Sequence, residues 1–295
     1  MVEMLNVTGI GKSFGKKEAL KRVSFHLNKG ETVLLLGKNG AGKTTLMQIL
    51  LDHYKPDTGK VEWELHHRNH HVGAVFQEAS VMDRVTVKEL ISYTQSLHIN
   101  PHSLEDILHG SNLHDLQSVR TEKLSIGQKR QLLFALSLVG RPELLILDEP
   151  TAGMDVLARK TFYERIRELK KQGITIIMTT HLLEEATKLG ERVLLLDEGV
   201  LLEDRSVASI TQQCKRVSFT LSYSSEELQR KLEGKGVVFV HNKEFTYETA
   251  QVEAFMEWMV HERIPFTNLT IEQQTVDQYF EQMVQEGGEA HAGLV

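Results

Sequence analysis

Residues 31–54 read ETVLLLGKNGAGKTTLMQILLDHY. The first part is a short apolar run ending in glycine, the pattern of a buried β-strand. The last part has helical spacing. Leu46, Ile49 and Leu50 fall on one face, and Pro56 and Gly59 are expected to stop the helix. Between them, Gly37-Lys38-Asn39-Gly40-Ala41-Gly42-Lys43-Thr44 satisfies GxxxxGK[ST], and Thr45 follows. The glycines let the backbone curl so that successive N–H groups point at phosphate oxygens, and the helix N-terminus adds its positive end. Lys43 can reach β- and γ-phosphates, and Thr44 can offer its hydroxyl to Mg²⁺. Taken alone, the motif admits a kinase or a GTPase equally. The sequence holds no NKxD motif of the kind that reads guanine.

A second stretch, LLILDEP (144–150), places Asp148 and Glu149 at the C-terminal end of another buried strand. Ligands of open α/β sheets bind at that edge. Two adjacent carboxylates can divide the labour: Asp148 holds Mg²⁺ through water, and Glu149 orients and deprotonates an attacking water. Gln77, after HVGAVF, and His181, after ITIIMTT, also end apolar runs, which is the only local argument for placing them beside the same phosphates.

Composition bounds the setting. The 295 residues carry net charge −6 and a single cysteine, Cys214. An acidic chain argues against broad nucleic-acid binding, and one cysteine excludes an internal disulfide. No apolar run approaches the ~18 residues of a membrane helix. The N-terminus lacks the basic and apolar regions of a signal peptide. The expectation is a cytoplasmic protein able to dock on a membrane protein.

Along the chain, residues 1–35 read as strands, KVEWEL and HVGAVF as two strands around a polar turn, and 82–140 as a helix-rich insertion. Then ELLILD, ITIIMTT and RVLLLDEG alternate with helices beginning near Asp155 and Leu182, which predicts a largely parallel sheet. After about residue 210 the pattern changes to a small α+β domain, with strands RVSFTLSY, VVFVH and EFTYETA and a last helix ending near Val284.

These pieces resemble, in order, the nucleotide-binding subunits of ABC transporters over about residues 3–210: GKNGAGKTT, Gln77, LSIGQKR, LLILDEP, Gly153-Met154-Asp155 and His181. The resemblance implies a P-loop ATPase of α/β class with an antiparallel β subdomain and a helical subdomain. Together with the change of pattern near residue 210, which marks a C-terminal α+β domain (213–295) expected to support association or regulation, it assigns 1–212 to an ATPase domain (helical subdomain about 82–140). It implies ATP and Mg²⁺, the ion bound by Thr44, Gln77 and Asp148. It also implies a second copy or a paralogous ATPase subunit, and transmembrane permease subunits, with the chain peripheral on the inner membrane face and no nucleic acid bound. Phe14 stands where the family stacks an aromatic on adenine. Gln77 resembles the residue that senses the membrane partner, Glu149 the general base, Asp155 an acid that crosses the dimer interface, and His181 the switch histidine at the γ-phosphate. The segment MDRVTVKEL, the GMD sequence and the C-terminal extension are similar to drug- and ABC-2-type exporter ATPases, and LTIEQQTVDQYFEQMV is similar to the closing helix of that extension. The alternative is a non-transport ABC ATPase in regulation or nucleic-acid work. Such proteins often carry two ATPase halves or long coiled coils, which this chain lacks.

The resemblance also gives LSIGQ its task. In this family the loop caps ATP held by a second subunit, through Ser125 and N–H groups at the start of a helix. Ser125, Gly127 and Gln128 match; Ile126 stands where the family has glycine. Were φ positive there, a β-branched residue would cost about 1–3 kcal/mol. HHRNHH (66–71) is read as a polar turn rather than a metal site.

Overall fold

A computed structural model describes residues 2–64, 72–180, 182–213, 215–223, 226–239, 244–249 and 251–273. It divides into two compact units, Met1–Arg205 and Ser206–Val295.

In the first unit, β1 (Glu3–Phe14), β2 (Lys17–Asn28) and β4 (Thr58–Trp63) form an antiparallel sheet in the order β2-β1-β4. The second sheet takes β3 (Thr32–Leu36), β5 (Val72–Val75), β6 (Leu144–Asp148), β7 (Thr175–Thr180), β8 (Arg192–Asp197) and β9 (Val200–Ser206), ordered β5-β6-β7-β3-β8-β9. The pairs from β5 through β8 are parallel. Every residue of β3, β6 and β7 is buried. That is why these strands read as unbroken apolar runs and not as alternations. KVEWEL and HVGAVF therefore belong to different sheets; the intervening 65–71, with its histidines, lies outside the described residues.

Helix α1 (Lys43–Leu50) buries Leu46, Ile49 and Leu50 as their spacing requires. It ends before Pro56 and Gly59 come into play, because Asp52 turns left-handed at φ +63°. The helical part contains α2 (Val87–Ser96), α3 (Leu104–Gly110) and α4 (Ile126–Leu138) around a core of its own that includes Leu90, Ile91, Ile107, Leu124 and Leu132. Helices α5 (Val156–Lys171) and α6 (Leu183–Leu189) follow β6 and β7.

The second unit opens with α7 (Val207–Gln213) and continues as β10 (Lys215–Leu221), α8 (Glu226–Gly234), β11 (Val238–Phe239), β12 (Glu244–Thr249), α9 (Val252–His261) and β13 (Phe266–Gln273). Its sheet runs β11-β12-β10-β13, antiparallel throughout. Val217, Phe219, Leu232, Phe245, Phe255 and Met259 fill the core. Val238 is exposed and does not join it. Residues 269–273, expected to open the closing helix, are strand: Ile271 and Gln273 register with Val217 and Lys215. The helix expected to end near Val284 and Cys214 lie outside the described residues.

Candidate functional site

The loop after β3 turns on three glycines, Gly37, Gly40 and Gly42, at φ +154°, +85° and +108°. A side chain on Gly37 would strike the Leu196 carbonyl, and one on Gly42 the Ala19 carbonyl, so space and backbone conformation both require glycine there. Lys43 Nζ donates to the carbonyls of Gly37 (2.7 Å) and Lys38 (3.1 Å) and is thereby held over the loop. Burial lowers its pKa, while the charges of Glu149 and Asp148 work against that shift.

Adjacency of β6, β7 and β3 brings the carboxylates to the same edge. Asp148 is 2% exposed; its Oδ2 accepts from Thr44 Oγ1 at 3.0 Å and its Oδ1 from Thr179 Oγ1 at 2.6 Å. The Thr179 hydroxyl also accepts the Glu149 N–H at 2.8 Å. Glu149 takes φ +45°, rare for a residue with a side chain, and its Oε2 accepts from Gln77 Nε2 at 3.3 Å. Thr179 went unread in the sequence. Its register opposite Asp148 is a property of the pairing of β7 with β6.

A cleft of about 330 Å³ gathers Phe14, Lys17, Ala19, Asn39, Gly40, Gly42, Lys43, Thr44, Thr45, Gln77 and Glu149. Phe14, 46% exposed, stands edge-on to Tyr54 with ring centroids 5.4 Å apart, and Lys12 Nζ lies over its ring, 5.7 Å from the centroid. Gly37, Lys38, Ala41 and Asp148 shape the loop or lie behind it and do not line the cleft. His181 lies outside the described residues.

The LSIGQ residues and Asp155 do not line this cleft. Ser125 caps α4 through a reciprocal pair: its hydroxyl accepts from Gln128 N–H (3.2 Å), and its own N–H reaches Gln128 Oε1 (2.9 Å). The N–H groups of Ile126 and Gly127 stay at the helix tip without intrahelical acceptors. Ile126 is the first helical residue, is absent from the positive-φ set, and is 71% exposed. The strain considered for isoleucine here does not arise. Asp155 caps α5, accepting from Ala158 N–H at 2.8 Å. Arg130, on α4, donates to the carbonyls of Phe76 (3.0 Å) and Gln77, and ties that helix to the residue that contacts Glu149.

A doubly wound sheet with a glycine loop between its central strand and a helix is the fold of a P-loop nucleoside triphosphatase. The family model described as ABC transporter matches residues 20–152. The Nod factor export ATP-binding protein I of Rhizobium johnstonii is 32% identical over 283 residues, 88% of this chain and 91% of that protein. The protein of that description in Bradyrhizobium diazoefficiens is 36% identical over 207 residues, 66% of this chain and 68% of that protein. Among solved structures, an ATP-binding cassette of an ABC transporter in its ADP conformation matches with TM-score 0.61 and 26% identity, over 70% of this chain and 92% of that one. The chain belongs to the ABC transporter family, as an ATP-binding subunit that hydrolyses ATP.

Proposed function

We propose that this subunit drives export, working as a pair of copies that enclose two ATP between them, on the inner face of a membrane that holds permease subunits. One observation carries the site assignment: Phe14, Lys43, Thr44, Gln77 and Glu149 line a single cleft. Export is supported by the relatives, which are named for it. Among the described residues no helix is long and apolar enough to cross a membrane, which supports a separate membrane partner.

In this reading, Phe14 stacks on the adenine, and Lys43 exchanges its carbonyl contacts for phosphate oxygens. Glu149 takes a proton from the water that attacks the γ-phosphorus in line, and Gln77, hydrogen-bonded to Glu149, orients that water. Thr44 and Asp148 share a hydrogen bond and present an all-oxygen donor set, which suits Mg²⁺ and leaves room for water ligands. Together with Gln77 they would hold the ion, which neutralises charge on the transferring phosphate. His181 is proposed for the γ-phosphate from its place after β7. The second copy is supported by the orphan N–H groups at the tip of α4 and by apolar residues beside it. Ile126, Val156 and Leu157 are 71%, 84% and 74% exposed, and a second copy would cover them. The second unit is proposed as a separate domain for association or regulation, supported by its own hydrophobic core.

The test is reconstitution. The subunit should copurify with a polytopic membrane protein, and ATP should drive substrate out of the compartment holding the subunit. ATP turnover with no membrane partner, or uptake in place of export, overturns the reading. A full-length chain and one truncated after Gln213 should bind ATP equally.

A further inference from the structure

Glu185 lies in the first turn of α6 and is completely buried. Glu184, beside it, faces outward and pairs with Lys188 at 2.8 Å. Glu185 turns inward. Its Oε1 accepts from Thr151 Oγ1 and Tyr163 Oη, each at 2.8 Å, and its Oε2 has no hydrogen-bond partner among the described residues. Burial, reinforced by this hydrogen bond, raises the Tyr163 pKa well above its usual value, so the phenol keeps its proton and donates.

Such a carboxylate is a poor way to hold a core together, since well-packed apolar residues of similar volume are often as stabilising or more so. Its use is positional. Thr151 stands two residues beyond Glu149, whose backbone occupies the left-handed region at φ +45°. A residue stays in that region only where its surroundings over-determine it. On one side, Thr179 holds the Glu149 N–H at 2.8 Å. On the other, the turn closes through Ala152 N–H to the Glu149 carbonyl (3.2 Å) and Met154 N–H to the Thr151 carbonyl (3.1 Å). Thr151, inside that turn, is anchored by Glu185 alone among the side-chain contacts described for it.

We propose that Glu185 is a positioning residue for hydrolysis: by gripping Thr151 it fixes the turn that follows Glu149 and keeps that carboxylate in its left-handed placement. The inference rests on the reading of Glu149 as base. It also makes α6, which begins just after His181, and the turn after Glu149 move as one piece. Thr179 and Glu185 are then the two jaws of a clamp on one strained residue, and neither touches the cleft.

The test compares Glu185→Met, Thr151→Val, Thr151→Ser and Glu149→Gln in the full chain. Measured are kcat and KM for ATP, affinity for a fluorescent ATP analogue, and hydrogen exchange at the Ala152 and Met154 amides. Glu185→Met and Thr151→Val should each lower kcat about tenfold, the scale expected when a strained placement is released. Analogue affinity should stay within about twofold of the unsubstituted chain, while both amides exchange faster. Thr151→Ser, which keeps the hydroxyl, should retain kcat and slow exchange. Thr151→Val carries the test should Glu185→Met fail to fold. Unchanged kcat in a folded Thr151→Val, unchanged exchange, or a kcat loss matched by lost affinity overturns the positioning role. Near-normal turnover in Glu149→Gln overturns instead the base assignment on which it rests.

Discussion

Thr179→Val removes one hydroxyl at nearly constant volume, and that hydroxyl serves two neighbours. Asp148 Oδ1 loses its donor at 2.6 Å and the Glu149 N–H loses its acceptor at 2.8 Å, both beside a residue of 0% exposure. Leaving a buried polar group unsatisfied costs about 1–3 kcal/mol, so two cost about 2–6 kcal/mol. For a unit of this size that corresponds to a fall in melting temperature on the order of 10 °C. The second consequence is catalytic. Glu149 is released from one of the contacts that hold φ at +45°, a conformation worth about 1–3 kcal/mol of strain. Relaxing it should lower kcat by about tenfold at little cost in ATP affinity, because the phosphate loop is untouched. Thr175→Val is the control. It sits at the opposite end of the same strand, is equally buried, and accepts a single N–H, from Gly30 at 2.9 Å. It should cost about 1–3 kcal/mol of stability and leave kcat alone. The assays are thermal unfolding and steady-state hydrolysis at a temperature where both variants are folded. Turnover in Thr179→Val within twofold of Thr175→Val would refute the reasoning.

Glu149→Gln should bind ATP and nearly abolish turnover, accumulating an ATP-bound dimer in sedimentation, whereas Lys43→Ala should weaken binding of the nucleotide itself. Mixed Lys43→Ala and Ser125→Ala subunits should regain part of the lost activity, since under the proposed two-copy arrangement each heterodimer would hold one complete composite site; verified heterodimers without activity would refute a role for LSIGQ across the pair. Ile126→Gly should shift stability by no more than about 1 kcal/mol, because the position is helical and exposed, and a larger loss on unfolding would reveal packing at that site. The folded-state pKa of Tyr163 is raised above its ordinary value of 10.0, so its contribution is full below pH 10 and is lost as pH rises. Melting temperature should therefore fall above pH 10 in the unsubstituted chain, less steeply in Tyr163→Phe, and equal slopes would remove Tyr163 as the cause.

The parts legible in the sequence are those whose chemistry is contiguous. Gly37 to Thr45 carry loop, cation and helix tip in nine consecutive residues, and the strand-loop-helix context follows from apolar runs on either side. Asp148 and Glu149 were legible because they close an apolar run, which places them at the C-terminal edge of the sheet. Thr179, Arg130 and Glu185 were not, since each acts across strands or helices distant in sequence. Thr179 gains meaning only from its register with Asp148, and Arg130 only from α4 lying against the backbone of Phe76 and Gln77. β9 went unread because VLLEDRS follows β8 after a short turn and is only partly buried, which blunts its alternation. LTIEQ resembles the start of a helix, but Ile271 finds a strand partner in Val217 of β10.

The grip of Arg130 falls on main-chain carbonyls at 76 and 77, not on side chains. Every amino acid offers that oxygen, so the tether is indifferent to what residue 77 is. The contact with Glu149 and the linkage to α4 are thus carried by different atoms of residue 77, side chain for the first and main chain for the second. A lineage could exchange the glutamine side chain without severing the linkage to α4. It could equally lose the arginine and keep a glutamine that still reaches Glu149 but is no longer tied to α4.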